Sequence, residues 1–181
     1  YVVNNYMRGK DPLPFDLLYW NADSTRMAAA NHSFYLRNCY LENNLSQGRM
    51  ELGGRTVSLA DVTIPIYNLS TREDHIAPAR SVFLGSRFFG GDVEFVMAGS
   101  GHIAGVVNPP AANKYQHFTG GKPVGNFQDW VAKAQENPGS WWPHWQNWIE
   151  RQDNRRVAAR TPGNNLTVLG DAPGSYVKVR V

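Results

Sequence analysis

Apolar residues fall into short runs broken by glycine, proline and acidic clusters, and the spacing inside each run predicts its form. Tyr1 to Arg8 reads as the end of a helix closed by Gly9. Asp11-Pro-Leu-Pro14 is a turn, and Phe15-Asp-Leu-Leu-Tyr-Trp20 reads as a strand ending at Asn21-Ala-Asp23-Ser24. From His32 to Asn44 a helical pattern carries Phe34 and Leu41, continued by Leu45, with Tyr35, Cys39 and Tyr40 between them. Arg49-Met-Glu-Leu52 and Arg55-Thr-Val-Ser-Leu59 flank Gly53-Gly54, a pair able to supply the positive φ angles of a tight hairpin turn.

A β-α-β unit follows: a strand over Ile66 to Ser70, a helix from about Pro78 to Phe89 ended by Gly90-Gly91, and a strand over Val93 to Ala98. Such a crossover implies a parallel pair inside an α/β sheet. Asn126 is an N-cap for a helix over Phe127 to Glu136, with Asp129 in its first turn. Pro143 opens a last helix to about Val157, and Thr161 to Val181 alternates turns with short extended pieces. No internal repeat or domain boundary interrupts residues 1–181.

The chemistry gathers behind the two strands of that unit. Ser70-Thr-Arg-Glu-Asp74-His75-Ile-Ala-Pro78 follows the first, and Gly99-Ser-Gly-His102-Ile-Ala-Gly-Val-Val-Asn-Pro-Pro110 follows the second. An acid and then a histidine on loops after successive strands is how α/β-hydrolases present the last two members of a nucleophile–acid–histidine triad. The Gly-x-nucleophile-x-Gly turn that would carry the first member is absent, so the expected class is the C-terminal portion of an α/β-hydrolase fold with a mostly parallel sheet. The nucleophile is expected upstream of Tyr1. Asp74 would accept the Nδ1–H of His102, fixing its tautomer and stabilising the imidazolium.

Other residues compete for these roles. Glu73 and Asp23 are rival acids, and Asp74 is preferred for its place one strand before the histidine. A generic aspartate there would act as a helix cap. His75 suits a structural hydrogen bond, and His32, His117 and His144 are isolated. Cys39 completes a nucleophile–acid–base order, but Leu36-Arg-Asn-Cys39-Tyr-Leu-Glu lacks the flanking glycines of an elbow, so it reads as a passive thiol. Trp141-Trp142-Pro143-His144-Trp145-Gln-Asn-Trp148 puts Trp145 and Trp148 on one helix face. It reads as an anchor for the last helix, with a grip on sugar rings or a polymer as the alternative.

Composition narrows the partners. The 181 residues are 42% hydrophobic and 12% aromatic, enough for a packed core, and the net charge of +3 is scattered, which argues against a nucleic-acid partner. One cysteine rules out an internal disulfide framework and fits a reducing compartment. No run reaches the length of a membrane span, and no metal-ligand cluster is visible.

The chain also resembles the polyhydroxyalkanoate synthases, bacterial enzymes that polymerise (R)-3-hydroxyacyl-CoA into storage polyester. The strings that carry the resemblance are Tyr1-Val-Val-Asn-Asn-Tyr, Pro14-Phe-Asp-Leu-Leu-Tyr-Trp20-Asn, Phe34-Tyr-Leu-Arg-Asn and Tyr40-Leu-Glu-Asn43. They continue through the Asp74 and His102 segments, Gly139-Ser-Trp-Trp-Pro-His-Trp145 and Ala172-Pro-Gly-Ser-Tyr-Val177. His-Ile-Ala-Gly-Val and Trp-Trp-Pro look most like the class I, short-chain-preferring branch.

The resemblance implies that Asp74 and His102 are the catalytic acid and histidine, partnered by a cysteine on an elbow that this chain lacks. It implies a cap-adjacent segment over about 1–45, a C-terminal helix and tail over about 126–181, and a substrate-channel setting for Trp20, Tyr40, Leu41 and Asn43. It further implies no cofactor or metal, an acyl-CoA substrate, a growing polyester chain as second partner, a homodimer, and a cytoplasmic site at storage granules with their associated proteins. The alternatives are an esterase, lipase or polyester depolymerase on the same scaffold, and a non-catalytic granule-binding module.

Overall fold

The computed structural model describes residues 2–11, 20–161 and 163–179. Its centre is a sheet in the order β3-β4-β5-β6, built from β3 (Ile66–Thr71), β4 (Val93–Ala98), β5 (Gln116–Thr119) and β6 (Gln135–Pro138). β3 and β4 run parallel, pairing Ile66 with Val93 through to Thr71 with Ala98, as the β-α-β reading requires. β5 and β6 are antiparallel additions, so the sheet is mixed and not mostly parallel. A separate hairpin joins β1 (Met50–Leu52) to β2 (Arg55–Val57), with Gly53 and Gly54 at φ of +54° and +75°, the region a two-residue primed turn needs.

Helices cover both faces of the sheet. On one face lie α2 (Ala79–Gly85) and α3 (Phe127–Lys133), whose Ala79, Phe83 and Trp130 close with Phe95, Met97 and Phe118 into the core. Phe83 and Phe95 are fully buried and meet edge to face at 5.2 Å. Burial of each side chain contributes roughly 1.5–3 kcal/mol. The opposite face carries α4 (Trp142–Gln152), seated on Tyr67, Glu94 and His117. Alternation explains the division: Phe95 and Met97 of β4 face α2 and α3, and Glu94 faces α4.

Several expected boundaries change. The first helix is a run of π-helical turns over Val2–Met7 before Gly9 at φ +60°. Most of the expected strand over Phe15 to Trp20 lies outside the described residues, and Trp20 itself sits in a helical turn. The pattern from His32 appears as α1 (Ala29–Tyr35) continued by π-helical turns over Leu36–Leu41. α3 is capped by Asn126, whose Oδ1 accepts the Asp129 N–H at 2.8 Å, but it stops at Lys133 because Ala134 is extended. Gln135 and Glu136, expected in that helix, belong to β6, where they pair with Thr119 and Phe118. α4 ends at Gln152 instead of near Val157, as Asp153 turns extended and its carboxylate binds Arg155. The described part of the tail holds turns and a short 3₁₀ segment over Tyr176–Lys178 in place of extended pieces.

Candidate acid–histidine site

Parallel pairing of β3 and β4 brings their carboxyl ends to one edge of the sheet, and the loops that follow carry Asp74 and His102. The loops are sewn together by main chain: the N–H of Arg72 donates to the Ala98 carbonyl and that of Glu73 to the Ser100 carbonyl, at 2.8 and 3.0 Å. Ser100 takes a left-handed φ of +68°, reversing the chain so that His102 points back toward the acid. His102 Nδ1 lies 2.7 Å from Asp74 Oδ2.

Asp74 divides its oxygens between two tasks. Oδ1 accepts the N–H groups of Ile76 and Ala77, each at 2.8 Å, an Asx-type turn leading into α2. Oδ2 receives His102 and, at 3.3 Å, the Thr71 hydroxyl. The side chain is 7% exposed, and that of His102 is 45% exposed. Burial pushes the carboxyl of Asp74 upward, but the Ala77 and Ile76 N–H groups and His102 together outweigh it and hold it at about 2. A carboxylate on Nδ1 orients an imidazole whose side chain is nearly half exposed, the geometry a general base requires.

The remaining candidates stay apart from this pair. Glu73 and Asp23 are exposed, and no described hydrogen bond or ion pair joins either to His102. The structural bond expected for His75 is not seen among the described residues, and its side chain is exposed. Cys39 sits in the π-helical turns and lines a cavity of about 540 Å³ with Asn43, Leu59 and Val82. Trp20, Tyr40, Leu41 and Asn43 are exposed, and no described hydrogen bond or ring contact joins these four channel candidates to Asp74 or His102. No group of three or more metal-ligating side chains occurs among the described residues. No described helix is long and apolar enough to cross a membrane.

The tryptophan-rich segment is an anchor. Tyr67 of β3 stacks on Trp141 at 6.0 Å and meets Trp148 edge to face at 5.6 Å. Its hydroxyl lies 3.0 Å from His144 Nδ1, while His144 Nε2 and Arg151 both bind Glu94. In this Tyr–His–Glu chain both imidazole nitrogens are already engaged, and burial, reinforced by the Glu94 charge, pushes the phenol of Tyr67 well above its ordinary range. Burial also holds the His144 imidazole below its ordinary value.

Over 180 residues the chain is 71% identical to the poly(3-hydroxyalkanoate) polymerase subunit PhaC of Rhizobium meliloti strain 1021, covering 99% of this chain and 30% of that protein. The chain is similar to the poly(3-hydroxyalkanoate) polymerases. The polymerase of Methylorubrum extorquens is 62% identical over 182 residues, and that of Cupriavidus necator 42% over 183, each covering 99% of this chain. The chain spans about 30% of the length of these curated relatives. No protein-family model matches it. The resemblance carried by the sequence strings is to these same polymerases.

Sequence reasoning missed the supports of the pair. The Thr71 hydroxyl and the Ile76 and Ala77 amides were signalled by an aspartate two and three residues before open N–H groups, a recurrent turn pattern. The indoles of Trp141 and Trp142 both donate to the Val106 carbonyl on the His102 loop, across 35 and 36 residues, and nothing local announces that contact.

Proposed function

We propose that this chain supplies the acid and the histidine of an acyltransferase that polymerises (R)-3-hydroxyacyl-CoA into polyhydroxyalkanoate with release of CoA. The 2.7 Å contact between His102 Nδ1 and Asp74 Oδ2 carries the reading, in a chain 71% identical to a named polymerase subunit. His102, oriented by Asp74, draws the proton from a cysteine supplied by another part of the protein. The thiolate attacks the thioester carbonyl, the CoA sulfur leaves with the proton held by His102, and an acyl-cysteine remains. The imidazole then takes the proton of the next hydroxyl as that oxygen attacks the acyl group and returns it to the departing cysteine sulfur, so that the ester product is one unit longer and the thiol is restored. Backbone amides around the cysteine stabilise each oxyanion.

In the same reading the complete protein is a homodimer at the surface of cytoplasmic polyester granules. Trp20, Tyr40, Leu41 and Asn43 lie along the approach of substrate. All four side chains are exposed and so open to a ligand, which supports that assignment.

The test is Asp74→Asn and His102→Gln in the full-length protein, with polymer formation and CoA release measured together. Asp74→Asn is expected to lower turnover on the order of 10⁴-fold, by analogy with triad enzymes, while thermal melting shows an intact fold. Near-normal polymerisation by Asp74→Asn, beside an inactive Asp23→Asn, would transfer the acid role to Asp23. Release of free hydroxy acid without polymer would replace the polymerase with a hydrolase.

A further inference from the structure

We propose that Trp141 and Trp142 are positioning residues for His102, acting through the one carbonyl oxygen that both indoles grip. This rests on the base role given to His102 above. Trp141 Nε1 donates to the Val106 oxygen at 3.1 Å and Trp142 Nε1 at 3.0 Å, filling both lone pairs of one acceptor. Val106 is bound to the histidine by a tight turn. The Gly105 N–H donates to the Gly101 carbonyl at 2.9 Å, across His102, and the N–H groups of Val106 and Val107 donate to the Ile103 carbonyl. A displacement of Val106 therefore carries His102 with it.

The indoles are themselves fixed to the strand that carries the acid. Trp141 stacks at 28° on Tyr67 of β3, four positions before Thr71, whose hydroxyl reaches Asp74. Trp141 and Trp142 meet edge to face at 6.4 Å, and the main-chain N–H of Trp142 donates to Ser140 Oγ. One aromatic cluster thus stands on the acid's strand and holds the histidine's loop, which sets the register between the two side chains. Phenylalanine preserves each ring and removes each donor.

The test is Trp141→Phe/Trp142→Phe in the full-length polymerase that carries this chain. Two readouts are followed: steady-state polymerisation and the low-field imidazole N–H resonance of the His102–Asp74 bond, assigned by its loss in His102→Gln. The double variant is expected to lose about tenfold or more in kcat with KM held within about twofold, as misplacing a catalytic group by an ångström or less does. The resonance should broaden or move upfield, and each single variant should fall between. Trp148→Phe, in the same cluster but without a bond to Val106, serves as the packing control and should leave the resonance in place. An unchanged resonance and kcat in the double variant would overturn the proposal, as would an equal shift in Trp148→Phe. The resonance reports on position without any turnover, so an active Asp74→Asn would remove the base role and leave this readout standing. If the double variant does not fold, the two single variants decide by the same criteria.

Discussion

Gly105 packs against Thr71 so closely that a Cβ on the glycine would lie 2.6 Å from Thr71 Cγ2 and 2.5 Å from the Gly99 carbonyl oxygen. The histidine loop thus presses on the last residue of the acid's strand, and hydrogen in place of a methyl is what permits it. Gly105→Ala must move either the loop or the strand. It is expected to destabilise the protein by about 1–3 kcal/mol, as overpacking does, and to lower polymerisation in the full-length protein well beyond what stability explains. Thermal melts beside turnover measure both, and a wild-type melt would show that the loop gives way freely.

The Thr71 hydroxyl offers a milder change at the same contact. Thr71→Val keeps the shape of a buried side chain and removes its bond to Asp74. A loss of about 1 kcal/mol in chemical denaturation is expected, with the Asp74–His102 bond retained.

The carboxyl of Asp74 is held at about 2, below its ordinary 3.8. A depressed folded-state value means that the unfolded chain takes up a proton first as acid is added. The stabilisation is therefore complete above pH 3.8 and is lost as the pH falls through that value toward 2. Denaturation midpoints of the wild type and Asp74→Asn, measured across this window, should converge at its acidic end. Parallel curves would mean that the carboxylate gains nothing on folding.

Cys39 is partly buried in the wall of the cavity beside α2 and stands apart from the Asp74–His102 pair. Cys39→Ala in the full-length protein is expected to retain polymerisation and to lose roughly 1 kcal/mol of stability. Mass spectrometry of this chain after exposure to a hydroxyacyl-CoA should show no acyl adduct on Cys39. An adduct dependent on His102 would make the cysteine a nucleophile.

Under α4, burial holds the His144 imidazole below its ordinary value, and its Nε2 faces Glu94 while its Nδ1 lies 3.0 Å from the Tyr67 hydroxyl, which donates to it in the neutral ring. Tyr67→Phe keeps the stacking on Trp141 and leaves that nitrogen without its donor. The cost should be about 1 kcal/mol in denaturation, with α4 still seated. Loss of α4 helicity by circular dichroism would show that the hydroxyl, and not the aromatic packing, anchors the helix.

The β-α-β unit and its two loops were legible because their signals are local: two apolar strand runs, a helix between them, and polar loops at the same ends. The hairpin was equally plain from Gly53-Gly54. β5 and β6 were not. Gln116-His-Phe-Thr119 and Gln135-Glu-Asn-Pro138 are short and mostly polar, and only their pairing with β4 and with each other makes them strands. The helix ending in Lys133 was overextended for the same reason: Gln135 and Glu136 have fair helical propensity, which tertiary pairing overrides. At the site the pairing of Asp74 with His102 was visible, and Asp74 turned out to serve both the histidine and the local turn through different oxygens. The brace from Trp141 and Trp142 was invisible, because hydrogen bonding of an indole to a distant carbonyl leaves no periodic trace.

The connection from β4 to β5 is pinched at two points. Gly99 N–H and the Gln116 carbonyl close its base at 2.7 Å, and Asn108 Nδ2 and the Lys114 carbonyl close it again at 2.9 Å. His102 and Val106 lie between the two closures, while residues 109–113 form an exposed outer lobe beyond the second. The outer lobe is mechanically insulated from the inner one. Insertions, tags or cleavage at Asn113 should be absorbed there without reaching the histidine, whereas one residue added between Gly99 and Val106 would change its reach. Variation in length is thus permitted in the half of the loop that faces solvent, and forbidden in the half that holds the imidazole.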